Sequence, residues 1–143
     1  NSEDLDLPLI RFRCLKYAIV LPEYLRQRSS GAETHIDIAR WLCAAETDRP
    51  TLDGTARKLG FPGMSNRSEQ ATMDAWLAGR QEEVQAFSDI AALNTYLLAL
   101  RLFVVRGEIG GQEAVVASEQ LKELLAGDVP GCFSEFVATW ENP

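Results

Sequence analysis

The sequence predicts a mainly α-helical domain, and three observations carry that expectation. Apolar residues recur at spacings of three and four through most of the 143 residues. Glycine and proline fall mostly between the periodic runs, where they punctuate rather than interrupt them. Only one short stretch alternates as a strand would. With 46% hydrophobic and 24% charged residues, the composition is that of a soluble globular chain with enough length for one core.

Taken in order, a first helix is expected over residues 6 to 18, where Leu7, Ile10, Cys14, Tyr17 and Ala18 keep helical spacing. Pro8 is tolerated in a first turn, and Asp6 stands where a carboxylate can cap free backbone N–H groups. Residues 34 to 38 alternate weakly and fit either a short strand or the entrance to a helix. That helix would carry Ile38, Leu42 and Ala45 and end before Arg49-Pro50, since the residue before proline disfavours helical geometry. Thr51 can cap the next helix, which runs through Leu59 and is stopped by Gly60. Phe61-Pro62-Gly63 reads as a turn. A helix over residues 69 to 78 stops near Gly79. Residues 80 to 106 read as the longest helix, with Val84, Phe87, Ala91, Asn94, Leu98, Leu102 and Val105 along one stripe and Gly107 at its end. Two amphipathic helices, 112 to 126 and 131 to 140, flank the breaker cluster Gly127-Asp128-Val129-Pro130-Gly131.

Charge narrows the function classes. Fourteen basic against 21 acidic side chains leave a formal charge of −7, which argues against a protein that coats nucleic acid electrostatically. The distribution is uneven: Arg11, Arg13, Lys16, Arg26 and Arg28 stand against Glu23 alone between residues 11 and 28, whereas residues 108 to 143 hold seven carboxylates and one Lys122. The basic strip is either a solvated helix face or a surface for a phosphate backbone. Cys14, Cys43 and Cys132 are odd in number, widely spaced and set among apolar residues, as reduced core thiols would be. No apolar run of membrane-spanning length and no signal segment is apparent, so a cytoplasmic location is expected.

The residues that point to chemistry lie in the long helix. Phe87-Ser88-Asp89-Ile90-Ala91-Ala92-Leu93-Asn94-Thr95-Tyr96 resembles the third motif of the DEDDy 3′-to-5′ exonucleases: a Tyr, three residues and an Asp, followed in one branch by Leu-Asn-Thr-Tyr-Leu. Phe87 takes the place of the Tyr and Ala91 that of the Asp. The resemblance continues in register. Asn1-Ser2-Glu3-Asp4-Leu5-Asp6 is similar to the second motif, with Asp6 at its carboxylate. His35-Ile36-Asp37-Ile38, Leu52-Asp53 through Leu59-Gly60-Phe61-Pro62-Gly63, and Ala75-Trp76-Leu77-Ala78-Gly79-Arg80 resemble segments of the predicted family B polymerase-like exonucleases. The match covers roughly residues 1 to 107 as an exonuclease-like portion, with 108 to 143 as a helical tail of the same single domain.

That resemblance implies the helical C-terminal half of an RNase H-like fold, an α/β parent lacking most of its sheet here. The chain opens with Asn1 inside a motif, so it reads as a fragment whose upstream segment, or a partner subunit, would complete it. Magnesium or manganese is implied as cofactor, held by four carboxylates. Of these the chain shows Asp6, a remnant catalytic and metal-ligating residue. Phe87 and Ala91 are the degenerate positions, so the chain would not hold the metals fully. Asp89 cannot substitute, since two residues turn a helix by roughly 200°. Single-stranded nucleic acid is the implied partner, with Asn1, Arg11, Arg13, His35 and Asn94 as candidate contacts.

Three explanations of the altered motif stay open: a natural pseudonuclease, an engineered inactive variant, or a core helix with no nuclease register. Other function classes are also open. The stretch from Leu52 to Phe61 resembles the start of a helix-turn-helix, and the acidic helices could belong to an interaction subunit. Trp41, Trp76 and Trp140 could stack on bases, although their helical context favours partial burial.

Overall fold

Local chemistry sets the helix boundaries. The Thr51 hydroxyl accepts from the Gly54 N–H at 3.1 Å, and Ser68 does the same for Ala71 at 3.1 Å, each closing a free first-turn donor. At the other end of the Thr51 helix, Gly60 adopts φ +80°, which a residue without Cβ reaches freely. Gly60 and Phe61 then donate to the carbonyls of Arg57 and Ala56, a Schellman closure. The helices before Gly79 and Gly107 end in the same way.

The computed structural model describes residues 6–20, 35–43, 50–127 and 130–140. Among them are seven helices and no strand: α1 (Leu7–Tyr17), α2 (Ile38–Leu42), α3 (Leu52–Lys58), α4 (Glu69–Leu77), α5 (Gln81–Val105), α6 (Gly111–Leu125) and α7 (Gly131–Ala138). The chain divides into two compact units, Asn1–Arg49 and Pro50–Pro143. The boundary between them in the sequence falls between Arg49 and Pro50.

In the first unit, residues 35–37 are irregular and Asp37 is extended, with its carboxylate accepting from the Arg40 N–H at 3.1 Å. The strand-or-helix alternative at residues 34 to 38 thus resolves as a helix entrance from residue 35 onward; Thr34 and Ala45 lie outside the described residues. The stripe expected on α1 is not a buried face. Leu7 is buried, but Ile10 and Tyr17 are about half exposed.

In the second unit α3, α4, α6 and α7 all pack on α5, and α6 packs on α7. The tail helices therefore belong to the same core as the central helix. Because neighbours surround α5, its buried set is wider than one stripe: Ile90, Asn94, Leu97, Leu98, Leu100 and Leu102. Phe87 and Ala91 are half-buried, and Val105, placed on the stripe from its spacing, is 70% exposed at the end of the helix. The 25 residues of α5 are long and apolar enough to cross a membrane by length and composition, contrary to the expectation that no run qualifies. A helix packed on by four others needs the same composition.

Candidate functional site

The third-motif stretch lies on α5, where Phe87 and Ala91 stand one turn apart. Phe87 forms part of the wall of a cleft of about 350 Å³ with Ser65, Arg67, Thr72 and Glu83. Its one carboxylate, Glu83, pairs with Arg80, and Arg67 pairs with Glu135 at 3.0 Å. The Ser65 hydroxyl is enclosed and has no hydrogen-bond partner among the described residues. Asp89 accepts from the Gln85 amide at 2.7 Å, a bond between consecutive turns that engages one of its oxygens.

Asn94 occupies a different environment. It is fully buried, and its amide nitrogen donates to the Gly63 carbonyl at 2.8 Å and the Ile90 carbonyl at 2.9 Å. Its oxygen accepts from the Gly63 N–H at 3.1 Å. The expectation that Asn94 contacts nucleic acid meets a side chain already used by the protein: it fastens the Phe61-Pro62-Gly63 turn to α5. Gly63 itself has φ +70°, and a Cβ there would collide with the Asp53 carboxylate and approach Arg57 to 2.9 Å. Glycine is thus required twice over, by backbone geometry and by space.

Asp53 completes this lock. Its Oδ1 accepts from the Met64 N–H at 2.7 Å and from Arg57 Nε at 2.9 Å. The Met64 N–H chiefly holds its carboxyl below the ordinary value; burial opposes this, and the hydrogen bond and charge of Arg57 lower it further. A depressed folded-state pKa contributes stability above the unfolded value of about 3.9, and that contribution disappears as pH falls through the folded pKa. Asp53→Asn is therefore expected to cost no more than about 1 kcal/mol at pH 7, because the carboxylate is partly exposed. The difference from wild type should shrink as pH drops below about 4, as urea midpoints at pH 7 and pH 2.5 would measure.

The remaining candidates lie in the first unit or outside the described residues. Asp6 is exposed and takes the N-cap position of α1, but its backbone is already helical and its side chain makes no capping bond; the expected cap is not formed. Arg11 is half-buried, with its Nε enclosed and unpartnered among the described residues. Arg13 and Lys16 both lie against the Tyr17 ring, at 5.9 and 5.2 Å. His35 is half-buried beside the Asp37 cap. Asn1, Arg26 and Arg28 lie outside the described residues.

Two expectations about exposure change. Trp140 is in the core at 7% exposed, whereas Trp41 and Trp76 are 52% and 62% exposed rather than partly buried. The three cysteines are free thiols, but half-buried rather than core. The helix-turn-helix alternative also loses its geometry. Residues 59–68 connect α3 to α4, a far longer link than the three or four residues of that motif.

Among the described residues the donor set does not fit a two-metal centre. Among the described residues no three His, Cys, Asp or Glu side chains form a group that could hold a metal ion, and position 91 carries only a methyl. In the sequence, Asp53 and Gly63 stand in the pattern without a role of their own. The Asp53 to Arg57 spacing of four was a usable signal; Met64, 11 residues from Asp53, had none.

Comparison with known families matches residues 1–140 to a family described as a predicted 3′-5′ exonuclease related to the exonuclease domain of PolB. The match extends through α6 and α7, beyond the portion expected up to residue 107. No curated protein and no solved structure shows significant similarity to the chain.

Proposed function

This chain belongs to the family of predicted 3′-5′ exonucleases related to the exonuclease domain of PolB, and from that premise we propose that it engages the 3′ end of single-stranded nucleic acid while its hydrolytic step is impaired. The observation that carries this reading is the division within residues 87–96. Asn94 fastens the turn at Gly63. The positions of the water-orienting hydroxyl and the metal-ligating carboxylate hold Phe87 and Ala91, which offer neither. Divalent cations would supply the activated water and leaving-group stabilisation in such chemistry, and a phenyl ring and a methyl contribute nothing to holding them.

Other residues support strand engagement. Asp6 is exposed and not used as a cap, and Arg11 and Arg13 follow it on α1. Guanidinium groups bind a phosphate backbone by charge and by paired N–H donors. With magnesium present, this chain is expected to leave a 3′-labelled single-stranded DNA uncut while retarding it in a low-salt binding assay. Turnover above background would overturn the impaired reading. Ala91→Asp combined with Phe87→Tyr is the paired assay: a gain in cleavage would identify these two positions as the lesion.

A further inference from the structure

Two helices carry exposed apolar faces, and the charges on those faces are opposite. On α1, Leu9 and Phe12 are each more than half exposed. At about 100° per residue, Phe12, Arg13 and Lys16 all fall within about 60° of Leu9, while the buried Leu7 lies about 160° away. Arg11, Arg13 and Lys16 are the charged residues of Leu7–Tyr17, and none is acidic. On α4, Met73, Trp76 and Leu77 are likewise more than half exposed. Glu69, Trp76 and Leu77 fall within about 60° of Met73, Asp74 stands at the edge of the face, and the buried Ala75 lies on the opposite side. Glu69 and Asp74 are the charged residues of Glu69–Leu77, and neither is basic.

We propose that the α1 face of one molecule docks on the α4 face of a second copy of this chain, the reciprocal contact closing a two-fold pair. Apolar surface drives the association, since burying large side chains is favourable and tryptophan and methionine are enriched at protein interfaces. Opposite charge selects the pairing. Two α1 faces would set cations against cations, and two α4 faces carboxylates against carboxylates; only α1 on α4 brings unlike charges together. The reciprocal arrangement uses both faces of both copies and so closes on itself. It does not rest on the strand-engagement reading, because it is measured without nucleic acid.

The test is analytical ultracentrifugation of the full chain, which is expected to show a monomer–dimer equilibrium with a dissociation constant on the order of 10 µM. Trp76→Ser changes an exposed side chain, so it should weaken pairing at least about tenfold while the thermal midpoint is maintained. Two charge-reversed chains give the independent arm: Arg13→Glu with Lys16→Glu, and Glu69→Lys with Asp74→Lys. Each alone should be monomeric at about 50 µM with its helical circular dichroism retained, because both of its contacts set like charges together. Mixed in equal amounts they should pair, since the mixed dimer holds one native contact and one with both signs exchanged. The proposal is overturned by a wild-type chain that stays monomeric at about 200 µM, or by folded reversed chains that do not pair when mixed. A dimer that Trp76→Ser and both reversals leave intact overturns it equally. So does a monomer that cosediments with vesicles containing about one quarter phosphatidylserine, which would give the α1 face to a lipid surface.

Discussion

Asn94→Ala is expected to destabilise the second unit by about 3–5 kcal/mol, read as a fall in the urea midpoint with the slope unchanged. The substitution removes both partners of Gly63 at once, its N–H donor contact at 3.1 Å and its carbonyl contact at 2.8 Å. Asn94 is fully buried, so no water takes its place without rearrangement. Each stranded polar group costs about 1–3 kcal/mol, and the space left by the carboxamide adds to that. The Ile90 carbonyl is less affected, because it also serves the helix ladder. Against a typical total of about 5–15 kcal/mol, the loss brings unfolding close to ambient conditions. Thr95→Ala is the control. Thr95 is exposed and its hydroxyl bonds only the Ala91 carbonyl one turn back, so the cost should stay within about 0.5 kcal/mol. If Asn94 were a nucleic-acid contact instead, its alanine variant would lose binding at unchanged stability.

This lock changes the meaning of the motif that first suggests a nuclease. Two separated segments, the one ending in Leu59-Gly60-Phe61-Pro62-Gly63 and the one containing Leu93-Asn94-Thr95-Tyr96, meet through Asn94 and Gly63, 31 residues apart. What Asn94 and Gly63 do for one another is scaffold work. Phe87 and Ala91 stand about two turns and one turn before Asn94 on the same helix. The hydrogen bonds that hold the helix to the turn do not pass through positions 87 and 91.

How much of the molecule is legible in the sequence depends on the distance over which a contact acts. The cap at Thr51 and the stops at Gly60, Gly79 and Gly107 can be read because capping chemistry spans three to five residues. The existence of α5, α6 and α7 is legible for the same reason, since periodicity is local. Which face of α5 is buried is not. That depends on four neighbouring helices, and their directions of approach leave no trace in the spacing of apolar residues. Asn94 illustrates the site-level failure. A carboxamide in the middle of an apolar stripe demands buried partners, and the sequence supplies that demand without its answer at Gly63. The metal question has the opposite character. Ala91 and Phe87 can be judged without coordinates, because a ligand-poor side chain is ligand-poor in any fold.

Phe136→Ala tests whether the last helix belongs to the core, and it is expected to cost about 3–5 kcal/mol. Phe136 is fully buried, in a segment that an exonuclease-like portion ending at residue 107 would leave as an appendage. Its ring meets Trp140 edge to face at 5.8 Å, and Trp140 in turn meets Phe61 at 6.4 Å. The chain of contacts therefore runs from α7 into the turn that Asn94 holds. Removing the ring forfeits its transfer from water and leaves a cavity lined by a rigid indole and helix backbones, which close in poorly. Trp140 should also lose its fixed setting, visible as weaker near-ultraviolet circular dichroism before unfolding begins. Leu124→Ala is the comparison within the tail: at 70% exposed it should change stability by less than about 0.5 kcal/mol. A Phe136→Ala cost as small as that of Leu124→Ala would mean that α7 merely rests on the surface. A cost of several kcal/mol would make the tail, matched with the rest of the chain up to residue 140, part of what holds the turn at Gly63 in place.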